Sequence, residues 1–62
     1  MIVYTVEEES EADWECYTTE IIGVYESKSK AMDKATEMKK LHKYNYYYIT
    51  AYDTVTGEIV ND

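Results

Sequence analysis

The first seven residues, MIVYTVE, are apolar or β-branched at almost every position. Such residues fit a pleated, half-buried surface, so the stretch predicts a strand. CYTTEIIGVY, Cys16 to Tyr25, predicts a second strand on the same grounds, with Gly23 marking a bulge or a close backbone approach. The pattern then changes period. In SKSKAMDKATEMKKLHK, Ala31, Ala35, Met38 and then Leu41 or His42 recur at helical spacing, while Lys30, Lys34, Glu37 and Lys40 fall on the other side. Ser27 is the expected N-cap, with Ser29 as the alternative, and Lys39, Lys40 and Lys43 suit the negative end of the helix dipole. The apolar stripe is thin, so the helix has to lie close to what it covers. YNYYYITAYD, Tyr44 to Asp53, predicts a third strand, and Gly57 ends a hairpin loop that feeds a short fourth one, Glu58 to Val60.

The order strand, strand, helix, strand, short strand predicts an α+β fold. A small antiparallel or mixed sheet carries one helix on one face, in a single domain spanning 1–62. Alternation in the third strand puts Tyr47, Ile49 and Ala51 on the face that meets the helix. Tyr46, Tyr48, Thr50 and Tyr52 then line the open face, where Tyr4, Tyr17 or Tyr25 join them if the register allows. An aromatic row on an open sheet marks an interaction surface or a solvated face with its hydroxyls outward. A homodimer through Tyr46, Tyr48 and Tyr52 is the simplest way of covering it. Self-association would also help a chain this short, whose folding hides only about 60% of its unfolded surface.

Charge sharpens the picture. The net charge is −7, and it is unevenly spread. Residues 1–26 hold eight acids and no base, whereas residues 27–43 hold six lysines against two acids. Six of the acids crowd into VEEESEADWE, the expected connection between the first two strands, either as a long hairpin loop or as frayed strand ends. Glu7, Glu9, Glu11, Asp13 and Glu15 recur at every second position. In an extended chain such residues project to one side, about 6.6 Å apart at a rise of ~3.3 Å per residue, which imitates a row of phosphates. Trp14, of opposite parity, would anchor the segment or insert into a partner. The bland alternative is a hydrated acidic loop that confers solubility. The acidic balance disfavours direct contact with nucleic acid or an anionic membrane and favours a basic protein partner.

Catalytic equipment is missing. His42 is the sole histidine and Cys16 the sole cysteine, and the two glycines are too few for a phosphate loop. The alternate acids suggest calcium ligands, but no glycine supplies the sharp turn and long glutamates stand where such loops use aspartate. The expectation is therefore no enzyme, no metal and no cofactor. A lone thiol, no basic-then-apolar leader and no long apolar run lead to an expected cytoplasmic location.

The segment EEESEADWE, with the small size and acidity, resembles the small acidic early proteins of lytic phages that take over a host cell. Several of these are DNA mimics that occupy the DNA-binding surface of a host protein, including the nucleoid protein HU and uracil-DNA glycosylase. EIIGVYESKSKAMDKATEM is similar to a strand-then-helix pattern common in small phage and bacterial domains. The resemblance implies an inhibitor in the host cytoplasm that presents carboxylates where phosphates would sit. Glu7, Glu8, Glu9, Glu11, Asp13, Trp14 and Glu15 are the expected contacts, with Glu20 and Glu26 extending the field. The alternative is an anti-defence or adaptor module that binds through its tyrosine face.

Overall fold

The computed structural model describes residues 1–13 and 16–60, and the side chains of all of these except residues 11–13, 16 and 17. Five elements follow one another: β1 (Ile2–Asp13), β2 (Cys16–Tyr25), α1 (Lys28–Leu41), β3 (Tyr46–Asp53) and β4 (Ile59–Val60). The strands form one sheet in the order β2-β1-β3-β4, each antiparallel to its neighbours. β2 and β3 therefore run parallel on either side of β1, and α1 is the crossover between them, a split β-α-β unit. The fold is α+β. The fourth strand is only two residues long, so the expected strand series holds only loosely.

Three boundaries differ from the sequence expectation. The acids after Glu7, expected in a long hairpin loop or at frayed strand ends, continue the strand. β1 continues to Asp13, because it pairs with β2 as far as Asp13↔Cys16 and with β3 as far as Glu9↔Tyr46. β3 starts at Tyr46 rather than Tyr44. The Lys39 ammonium donates to the carbonyls of Lys43 (2.9 Å) and Asn45 (2.7 Å), and the Asn45 N–H donates to His42 O (3.0 Å), which ties residues 43–45 into a turn. β4 begins at Ile59, after Gly57 turns the chain at φ 75°, in the left-handed region that favours glycine.

The core is small and lies where α1 crosses β1. Val6 and Ala31 are fully buried, and Ala51 nearly so. An alanine at the helix contact lets α1 approach the sheet closely. Ser27 caps the helix, accepting from the Lys30 N–H at 3.5 Å, and the His42 N–H closes the other end on Met38 O at 2.8 Å. Ala35 and Met38 are half-buried, but Leu41 is 68% exposed, so the helix leaves the sheet before its end. Lys34, expected to point outward, is half-buried. On β2 the register shifts opposite Val6 and Glu7, leaving Ile22 as an extra residue beside Gly23. A Cβ at Gly23 would stand 2.7 Å from the Tyr25 ring, so this glycine serves a close approach as well as a bulge.

Tyr4 pairs with Ala51 and with Tyr25. Strand parity thus puts Tyr4 and Tyr25 on the covered face, and neither joins the open tyrosine row. Past Glu9 the β1–β2 hairpin has no β3 beside it. It continues as a two-stranded arm, which accounts for the elongated outline of 38 × 22 × 16 Å.

Candidate functional site

The uncovered face of the sheet brings the two candidate sets of residues together. Along β1 the residues on this face are Val3, Thr5, Glu7 and Glu9, and their partners on β3 are Tyr52, Thr50, Tyr48 and Tyr46 in that order. Glu7 and Glu9 are therefore each directly opposite a tyrosine. On the β2 side the partners are Val24 for Thr5, Ile21 for Glu7 and Thr19 for Glu9. Two carboxylates sit in the middle strand with aromatic rings to one side and an aliphatic residue to the other. Ile21 and Val24 are each 60% exposed, Tyr46 is 53% and Tyr48 is 47%. Thr5 is buried in the same face, and its hydroxyl donates to Thr50 O at 3.4 Å.

Electrostatics mark the same place. Burial first, and then the negative charge of Glu9, hold the Tyr48 phenol above its ordinary range. On the covered face the equivalent event is a direct bond. The Tyr47 hydroxyl donates to a Glu8 carboxylate oxygen at 2.6 Å, and burial followed by that bond raises the Tyr47 phenol as well.

The predicted contact residues thus divide. Glu7 and Glu9 lie on the open face. Glu8 is engaged on the covered side, where Glu20 is its cross-strand partner. Glu26 occupies the bend after β2, beyond the Tyr4↔Tyr25 pair and at the opposite end of that strand from the arm. Glu11 and Asp13 belong to the arm, where the backbone pairing with β2 shifts register between them. Trp14 and Glu15 lie outside the described residues. Tyr46, Tyr48 and Tyr52 share the open face as expected, and Tyr52 is half-buried between Val3 and Ile59. Among the described residues no group of three or more His, Cys, Asp or Glu side chains is placed to hold a metal ion. His42 is exposed at the end of the helix.

Sequence reasoning treated the acids and the tyrosines as separate surfaces. Their interleaving depends on the β1–β3 register, which joins residues about 40 apart and has no local signal. Exposure of Ile21 and Val24 was missed for the same reason: the second half of β2 reads as apolar throughout, and which of its residues are covered depends on its neighbours.

Residues 1–59 match one family model, a domain of unknown function (DUF7336). The chain belongs to the DUF7336 family. No curated protein and no solved structure matches it. The DUF7336 match covers β1, β2, α1 and β3 and reaches Ile59, so the open face and the arm are both parts of the family domain.

Proposed function

We propose that this chain is a non-enzymatic binding domain whose open sheet face and acidic arm dock on a basic protein surface. In its most specific form it is a phage-type inhibitor that occupies the DNA site of a host protein such as the nucleoid protein HU, in the host cytoplasm. The supporting observation is the pairing of Glu7 with Tyr48 and Glu9 with Tyr46 on the uncovered face. An arginine can form a forked bond to a carboxylate while its flat guanidinium stacks on an adjacent ring, and this face offers both partners side by side. Rings and aliphatic groups around the carboxylates exclude water once a partner docks, which strengthens the pairing. Glu7 and Glu9 are spaced by about 6.6 Å, within reach of groups that otherwise grip phosphates. The acidic arm adds a long-range field that speeds encounter with a basic target.

A second copy fits the face less well than a basic partner, since it would bring Glu7 and Glu9 toward their own duplicates. No described helix is long and apolar enough to cross a membrane.

The test is binding to a purified HU-type protein across a salt series, with duplex DNA as competitor. Competition by DNA and a steep loss of affinity with salt are expected, and Glu7→Lys with Glu9→Lys should remove binding. Equal binding with DNA present refutes mimicry. Harmless charge reversal combined with loss of binding in Tyr48→Ala would transfer the role to the tyrosines alone, which is the adaptor reading.

A further inference from the structure

The sheet has a second feature, which borders the open face at Tyr46 and Tyr48. A groove of about 510 Å³ runs between α1 and the outer side of β3. α1 contributes Ala35, Thr36, Lys39 and Lys40; β3 contributes three consecutive tyrosines, 46 to 48. Consecutive strand residues point to opposite faces, so a hollow lined by all three lies along the strand's edge. A neighbouring hollow of about 410 Å³ continues along Ile49, Thr50 and Ala51, with Lys28 on its helix side.

That edge is chemically open. The Asp53 N–H donates to Glu58 O at 2.9 Å and the Gly57 N–H donates to Asp53 O at 2.7 Å, so the main-chain groups of Asp53 point away from β1. Alternation gives the same outward direction to Ala51, Ile49 and Tyr47. Among the described residues β4 pairs with Ala51 and Tyr52. Among the described residues, Tyr47 and Ile49 are left with outward N–H and C=O groups and no strand beside them, a ready template for an added one. The groove above this edge is basic. The Lys39 ammonium is fixed at its end by two carbonyls and sits 5.3 Å from the centre of the Tyr46 ring, and Lys40 lines the same wall.

We propose that the groove binds an extended acidic peptide segment, which adds a strand to β3 at Tyr47 and Ile49 and turns its alternate carboxylates toward Lys39 and Lys40. Main-chain bonds provide affinity in this mode and the lysine wall selects the side chains. Charge argues against a second copy pairing here through its β2. The chain's other edge strand, β2, carries a single acid, Glu20. The site meets the open face at Tyr46 and Tyr48 but takes its main-chain groups and lysines from the outer edge of β3 and from α1, so a chain using both would join a basic surface to an acidic segment.

The probe is a capped seven-residue peptide alternating Glu and Val, set against its Lys-for-Glu counterpart, with amide exchange and chemical shifts read on the full chain. The acidic peptide should slow exchange at the Tyr47 and Ile49 amides by about tenfold, with no such effect from the basic peptide. Lys40→Glu and Thr36→Glu, both exposed helix positions, should each weaken binding by about tenfold; Thr36→Glu should leave the melting temperature unchanged, and Lys40→Glu should lower it by only a few degrees, through its place in the last helical turn. No slowing at millimolar acidic peptide overturns the proposal. Equal slowing by both peptides overturns the charge selection, and protection that rises with protein concentration alone assigns the edge to a second copy. Binding of the basic peptide at Glu7 and Glu9 reports on the open face, so the two readings fail separately.

Discussion

The two faces of the sheet are made from alternate residues of the same strands, yet they differ in kind. The face under α1 takes Val6 from β1 and Ala51 from β3, closes them beneath Ala31, and uses Glu8 as a bonded partner for Tyr47. The other face takes Thr5, Glu7 and Glu9 from β1 and leaves Ile21, Val24, Tyr46 and Tyr48 about half exposed or more. Stability is concentrated on the first, where small residues permit close packing. The second keeps apolar and charged groups together in a form that contributes little to folding. That is the composition of a surface awaiting a partner.

The most damaging way to test this division is to strike the covered face. Val6 is the largest fully buried side chain, and Val6→Ala should cost about 2 kcal/mol, comparable to other large-to-small core changes. In a domain this size a loss of that order lowers the melting midpoint by about 10 °C. Ile21→Ser, one strand away on the open face, should change stability by no more than about 0.5 kcal/mol. Thermal melts of the two variants decide the matter. Equal losses would mean that the open face is structural and that the division is wrong.

Next in size is the pair of adjacent tyrosines. Tyr47→Phe removes the 2.6 Å bond and leaves Glu8 without its partner, at a cost of about 1 kcal/mol given that the site is only half-buried. Tyr48→Phe should leave stability near that of the parent chain. The pH dependence follows from the same groups. Both phenols titrate above their ordinary value near 10 in the folded state. The unfolded chain therefore loses these protons first, and their contribution is whole below pH 10 and declines as pH rises past it. Denaturant midpoints should be flat from pH 7 to 9 and fall beyond 10, with a shallower fall in Tyr47→Phe. An unchanged slope in that variant would show that the Tyr47–Glu8 bond does not couple to folding.

The elements that were legible in the sequence are those specified locally. Ser27 announced the start of the helix, Gly57 the last turn and Gly23 an irregularity in β2, because each satisfies a backbone requirement within a few residues of itself. The sorting of Tyr47, Ile49 and Ala51 from Tyr46, Tyr48 and Tyr52 was legible too, since strand parity is a local property. What could not be read was pairing. Acids after Glu7 look by composition like a loop or frayed strand ends, and only the β2 and β3 partners make them a strand. The Lys39 clamp that delays β3 by two residues joins a helix side chain to carbonyls four and six positions later, and a lysine at that place looks like ordinary dipole complementarity.

The smallest expected effect separates the faces most finely. Glu8 and Glu20 are direct cross-strand partners on the covered side. Like charges in that relation oppose pairing, so Glu20→Lys should stabilise the hairpin by about 0.5 kcal/mol. A denaturant titration at low salt resolves a change of that size, and added salt should diminish it. The same variant reports on recognition. If the partner contacts the open face, Glu20→Lys leaves affinity within about twofold while Glu9→Lys abolishes binding, because rim and far-side charges act mainly on the encounter rate. Equal losses from both substitutions would mean that the partner holds the β1–β2 ribbon from both sides, inserting the arm into a cleft instead of docking against a sheet.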